Sequence, residues 1–176
     1  MDGCCIVGVM STDVVLETSL GTIEITLDAE RAPKTVANFL RYVDEGHYDG
    51  TIFHRVIPGF MVQGGGYDTA YEKKPVREPV ENEAHSGSRN LRGTVAMART
   101  GDPHSATAQF FINVADNAFL DHSAKNASGW GYAVFGKVTA GMDVADRMVA
   151  TATGSRGPFA KDAPLEPITI RSIRRR

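Results

Sequence analysis

Cysteine is nearly absent from this chain: the only two, Cys4 and Cys5, are adjacent near the start. A disulfide framework needs pairs spread through the body of a domain, so that architecture is excluded, and nothing demands an oxidising compartment. Long apolar runs are also missing, none approaching the roughly eighteen residues that a membrane-crossing helix needs. The opening MDGCCIVGVM has an acidic rather than basic start and no A-x-A-like cleavage pattern, so it does not read as a signal peptide. A cytoplasmic location without membrane attachment is expected. Charge of one sign is scarce as well, with 19 Lys and Arg against 21 Asp and Glu. That balance provides no global field to hold nucleic acid, and no nucleic-acid partner is expected. The basic cluster Arg171, Arg174, Arg175 and Arg176 is read as a solvated tail.

Common catalytic signatures are missing too. There is no G-x-S-x-G elbow, no G-x-x-x-x-G-K-[ST] phosphate loop, no H-E-x-x-H and no paired C-x-x-C. The run Gly64, Gly65, Gly66 does not continue as G-x-G-x-x-G and reads as a tight bend where backbones approach closely. His47, His54, His85, His104 and His122 are scattered without ligand spacing, so neither a metal nor another cofactor is expected. The sequon at Asn126 matters only in a secreted protein and is treated as chance.

What is present fits one globular domain of 176 residues with 42% hydrophobic and 23% charged content. Residues 1–12 do not share the periodicity that follows and are read as a flexible appendage to a domain spanning 13–176. From Val14, VVLET, a turn at Ser19 to Gly21, and TIEITLD give alternating Ile23, Ile25 and Leu27, the pattern of a half-buried β-hairpin. Pro33 opens a helix whose Val36, Phe39, Leu40 and Val43 recur at helical spacing up to Gly46. Met142, Ala145, Met148 and Val149 predict a second helix, with Asp143 in its first turn. The runs TIFHRVI, FMVQGG, GTVAMA, AQFFINV, YAVFGKV and PITIRSI bring the strands to about eight. The expected fold is mainly β, a closed eight-stranded antiparallel barrel capped by two helices. Two polar stretches, about 65–92 and 115–129, read as long loops of the kind that often carry function.

The distinctive block is FHRVIPGFMVQGGG, Phe53 to Gly66, with one arginine and one glutamine among large apolar residues. Strand alternation predicts Phe53, Arg55 and Ile57 on one face and His54 and Val56 on the other. A cation on an apolar face needs either a carboxylate partner or a ligand to serve. In AQFFINV, Gln109 and Phe111 share one face and Phe110 and Ile112 the other, so that one phenylalanine fills the core and the other is free to line a groove.

FHRVIPGFMVQGGG followed by GTVAMART, SATAQFFINV and WGYAVFGKV closely resembles the cyclophilins, particularly the bacterial cytoplasmic B-type enzyme, from about Val14 to about Ile173. The resemblance implies a peptidyl-prolyl cis-trans isomerase that rotates X-Pro bonds and assists protein folding, with its site on the outside of a side-chain-packed barrel. It implies a catalytic Arg55, with Phe60, Met61, Phe111 and Leu120 as walls of the proline pocket and Gln63 beside them. Ala98 and Arg99 fall where the family binds substrate backbone, though asparagine is frequent at the Arg99 position. Phe119 and Tyr132 complete the set, standing where many eukaryotic members have tryptophan and histidine. Expected partners are proline-containing peptides and unfolded or folding proteins, engaged by a monomer. Cyclosporin should bind weakly, because phenylalanine at 119 lacks the indole N–H donor. The rival reading is a proline-peptide-binding or holdase module whose turnover is incidental.

Overall fold

The fold is that of a computed structural model, which describes residues 13–176. The appendage read at 1–12, with both cysteines, lies outside the described residues. Strands β1 (Asp13–Thr18) and β2 (Gly21–Leu27) form the expected hairpin. Its turn is fastened by Thr18, whose hydroxyl accepts the Leu20 and Gly21 N–H groups, each at 3.1 Å. Gly21 has φ +140, and an added Cβ would come within 2.9 Å of Val144, so both conformation and space require glycine. Then follow β3 (Arg55–Ile57), β4 (Met61–Gly64), β5 (Thr94–Met97), β6 (Phe110–Asn113), β7 (Val134–Ala140), β8 (Thr153–Arg156), β9 (Phe159–Pro164) and β10 (Ile170–Arg175).

Eight strands make one antiparallel sheet in the order β10-β1-β2-β7-β5-β6-β4-β3. The sheet curls until its ends meet, but β3 and β10 form no ladder, which corrects the expectation of a fully closed barrel. Segments flanking the two strands bridge the seam instead, with an isolated Ile52–Thr169 bridge and the Phe53 N–H donating to the Ile168 carbonyl at 2.9 Å. Inward-facing side chains fill the interior, among them Leu16, Ile25, Val62, Val95, Phe110 and Phe135, so the barrel is packed and encloses no site. Phe53 belongs to this core with Val56, contrary to the alternation that grouped it with Arg55. The reason is that β3 begins only at Arg55, so the strict pleat does not extend back to Phe53.

The first helix, Pro33–Asp44, buries Thr35, Val36, Phe39, Leu40, Tyr42 and Val43. Phe39 packs against the rings of Tyr48, Phe110 and Phe135 at 5.0 to 5.7 Å. Ala32 provides no side-chain cap; a distant carboxylate, Glu83, takes that place by accepting from Lys34 N–H, Thr35 N–H and Thr35 Oγ1. A negative group there satisfies orphan donors and complements the helix dipole. The second helix, Met142–Val149, buries Val144, Ala145 and Met148 and packs against β2, β3 and β4. The hairpin β8–β9 is a separate two-stranded sheet that the sequence reading missed. Its Phe159 stacks on His54 at 4.9 Å and meets Tyr67 edge-on. The basic C-terminus is not a free tail: Arg174 pairs with Asp49, Arg175 with Asp44 and Arg176 with Glu24.

Candidate functional site

Pleating gives the strands an outer face distinct from the packed interior. Register pairs Arg55 with Gln63, Gln63 with Phe111, Phe111 with Ala96 and Ala96 with Val134. These residues form one transverse row across β3, β4, β6, β5 and β7. A small apolar cluster covers this face, built from Met61, Ala96, Ala98, Phe111, Leu120 and Val134, with Ile57, Phe60 and Tyr132 against it. Phe110 goes to the barrel core and Phe111 to this outer cluster, as alternation requires.

A cavity of about 120 Å³ opens on that cluster, lined by Arg55, Phe60, Met61, Gln63, Ala98, Arg99, Phe111, Leu120 and Tyr132. Every residue singled out for the site lies on it except Phe119. That ring is 74% exposed and packs on Phe60 at 5.5 Å, outside the lining. Arg55 is exposed at the rim, and among the described residues it has no ion pair; its one hydrogen bond is a long 3.5 Å contact from Nη1 to Gln63 Oε1. Of the two alternatives for a cation on this face, a carboxylate partner is therefore not the one realised. Gln63 in turn donates from Nε2 to Gln109 Oε1 at 3.0 Å. Gln109 occupies space left by Gly66, where an added Cβ would lie 2.6 Å from Gln109 Cδ. The glycine run thus acts as the close approach read from the sequence, and it leaves room for the glutamine that anchors Gln63.

Arg99 is engaged differently. Its Nε and Nη2 donate to the Gly131 carbonyl at 3.1 and 3.0 Å, Nη1 donates to the Thr100 carbonyl at 2.8 Å, and the guanidinium stacks 4.3 Å over the Tyr132 ring. This cation buttresses a pocket wall, a role that spacing alone did not reveal. Ala98 donates its N–H to the Gln109 carbonyl at 3.0 Å.

The loops that supply Phe60, Leu120 and Tyr132 are held by three buried asparagines absent from the sequence reading. Asn117 Nδ2 donates to the Phe60 carbonyl at 2.9 Å and to Asn113 Oδ1 at 2.8 Å. Asn113 Nδ2 donates to Asn90 Oδ1 at 3.1 Å, while Asn90 Nδ2 reaches the Leu120 and Tyr132 carbonyls at 3.2 and 3.3 Å. The available signal was Asn113 itself, a polar residue inside the apolar run FFIN. Trp130, outside the pocket, is surrounded by the rings of His85, His104 and His122 at 4.7 to 5.7 Å. Among the described residues no group of histidines, cysteines or carboxylates has the geometry to hold a metal ion. No helix among them is long and apolar enough to cross a membrane.

Residues 13–175 match the sequence model of the family described as cyclophilin type peptidyl-prolyl cis-trans isomerase/CLD. The chain is 58% identical over 166 residues to peptidyl-prolyl cis-trans isomerase cyp18 of Streptomyces antibioticus, covering 94% of this chain and 98% of that one. It is 52% identical over 160 residues to peptidyl-prolyl cis-trans isomerase B of Escherichia coli, covering 91% and 97%. A crystal structure of a cyclophilin type isomerase from Cryptosporidium parvum in the presence of the dipeptide Ala-Pro superposes with a TM-score of 0.75 at 25% identity, covering 93% of this chain and 98% of that one.

Proposed function

Because this chain belongs to the cyclophilin-type peptidyl-prolyl cis-trans isomerases and is an enzyme of that reaction, we propose that Arg55 is its catalytic residue and that Phe60, Met61, Phe111 and Leu120 grip the proline ring. The single observation that carries this reading is Arg55 at the rim of an apolar cavity, without a carboxylate partner among the described residues. Unaided X-Pro rotation takes tens to hundreds of seconds, because twisting breaks amide resonance behind a barrier of roughly 18–20 kcal/mol. In the twisted state the nitrogen lone pair localises and accepts a hydrogen bond. A guanidinium, which only donates, stabilises that state more than either planar form. Bringing ~100 s down to ~1 ms requires about 7 kcal/mol, within what preorganised electrostatics and binding supply. Rotation makes and breaks no covalent bond, so the chemistry calls for no cofactor.

The remaining residues fit supporting roles. Gln63, held by Gln109, sits where it can orient the guanidinium or the substrate carbonyl. Ala98 and Arg99 offer backbone at the cavity edge for an extended peptide. Tyr132 forms a wall, and Phe119 extends the apolar rim beyond Phe60. Proline-containing peptides and folding proteins are the substrates of this reading, with cyclosporin held weakly for want of a donor at Phe119. A monomer is supported by the small number of exposed large apolar side chains among the described residues, namely Val76, Leu91, Phe119 and Leu165. A cytoplasmic setting is supported by a body without cysteine beyond Cys5. The test is the rate of cis-trans exchange of a short X-Pro peptide, by NMR or protease coupling, for the protein and Arg55→Ala. A folded variant with a near wild-type rate overturns the assignment.

A further inference from the structure

A larger cavity, about 370 Å³, is lined by parts of β2, β5 and β7 and by none of the residues that line the proline pocket. The sheet contributes Thr26 and the largely buried Leu27 of β2, Thr94 of β5, and Val134 and Gly136 of β7 to its lining. Val134 also belongs to the apolar cluster under the pocket, at the far end of the row that starts at Arg55. The segment containing Ser88 and Arg89 bounds the groove on one side and the turn after β2 on the other. Three cations lie on its lining: Arg31, Arg89 and Lys137, all exposed.

What sets these cations apart is that three of them line one cavity; being without an ion pair is not peculiar to them, since among the described residues Arg41, Lys73, Lys125, Lys161 and Arg171 have none either. Arg77, Arg92, Arg147, Arg174, Arg175 and Arg176 are each tied to a carboxylate. No side chain among the described residues pairs with Arg31, Arg89 or Lys137. The one acid on the lining, Asp28, uses Oδ1 to accept the backbone N–H of Arg31 at 3.1 Å and does not engage its guanidinium. On a chain of net charge −2 this is a local convergence of positive charge beside the apolar Val134. We propose that the groove docks an extended acidic segment of a partner polypeptide, with carboxylates on Arg31, Arg89 and Lys137 and an apolar side chain against Val134. In an extended strand, alternate side chains share a face, so acidic and apolar residues can be presented to the cations and to Val134 together. Nucleic acid fits less well, since every unit of its backbone carries a charge and none presents an apolar side chain in alternation with the charged groups.

The probe is a fluorescein-labelled, proline-free peptide of alternating Glu and Leu, titrated with the whole protein by anisotropy, with amide chemical shifts recorded alongside. Binding is expected to move the amides of Thr94, Val134 and Gly136 and to weaken about 5-fold or more between roughly 0.05 and 0.3 M salt, as exposed charge pairs are screened. The variant carrying Arg31→Glu, Arg89→Glu and Lys137→Glu is expected to bind at least about 10-fold more weakly, with X-Pro turnover within about 2-fold of normal. Arg55→Ala is expected to leave peptide binding intact. The proposal is overturned if the peptide does not bind, if binding survives charge reversal, if the shifts map to the proline pocket, or if a single-stranded oligonucleotide of equal charge binds more tightly. Because all three side chains are exposed, reversal should not unfold the domain; should it do so, the single variant Lys137→Glu and the shift map decide.

Discussion

The inner and outer faces of β3 to β6 lie one residue apart in sequence and differ in kind. Inward, Val56, Val62, Val95, Phe110 and Ile112 are fully buried in a core without functional side chains. Outward, Arg55, Gln63, Phe111 and Asn113 combine charge, amide and aromatic groups around an open cavity or beneath its loops. With the site roles proposed above, the pleat separates stability from chemistry: inner changes should cost folding free energy, and outer changes should cost catalysis. Neighbouring residues therefore supply matched controls.

The largest effect is expected from Phe110→Ala, which empties a site beside Phe39, Tyr48 and Phe53. Urea unfolding should show a loss of about 3–5 kcal/mol, with kcat/KM of the folded fraction little changed. Phe111→Ala should do the reverse in emphasis, lowering kcat/KM at least ~10-fold with a smaller loss of stability. Equal effects of both on stability and rate would break the distinction.

Next in size is a pH effect from the residue that precedes β3. His54 is buried against Tyr67 and Phe159, its Nδ1 has no hydrogen-bond partner among the described residues, and burial, reinforced by Arg55, lowers its pKa from 6.5 to about 4. Between those values the unfolded chain binds more protons, so stability fully present above about pH 6.5 is lost as pH falls toward 4, at most roughly 3 kcal/mol. His47, also lowered by burial, acts with the same sign. Denaturation midpoints from pH 7 to 4 should fall steeply in the protein and more gently in His54→Leu; identical slopes would contradict the burial argument.

How far these features can be read from sequence differs by element. Hairpin β1–β2 and both helices were legible because Ile23, Ile25 and Leu27, or Val36, Phe39, Leu40 and Val43, bury one face at a fixed period. The β8–β9 hairpin was not, since TGSRGPFAKDAP lacks alternation and is fixed chiefly by Phe159 docking on residues more than ninety positions away. Periodicity distinguished Phe110 from Phe111, yet misplaced Phe53, because local pattern does not reveal where a pleat begins. The pocket walls came from the resemblance of four blocks. What joins them, Asn90 to Asn113 to Asn117, links loops distant in sequence and is visible only once the chain is folded.

That network sharpens the comparison at smaller magnitude. Asn117→Ala leaves the Phe60 carbonyl and Asn113 Oδ1 each without that donor, at about 1–3 kcal/mol. Stability and KM should both suffer, since Phe60 is a pocket wall; an effect on stability alone would detach the network from the site. Smaller still for turnover is Phe119→Trp, which adds an N–H at the exposed rim. Cyclosporin inhibition should tighten about 10-fold or more while kcat/KM barely moves, and tight inhibition of the unaltered protein would show that Phe119 does not set sensitivity.

The most direct test uses two adjacent residues on opposite faces, Arg55→Ala and Val56→Ala, each assayed for X-Pro exchange and urea stability on the same samples. Arg55→Ala should lose at least ~100-fold in kcat/KM, about 2.7 kcal/mol of transition-state stabilisation, while unfolding near the normal midpoint. Val56→Ala should lose about 2 kcal/mol of stability while its folded fraction turns over normally. An active Arg55→Ala, or an Arg55→Ala whose loss of activity is matched by loss of fold, would contradict the account.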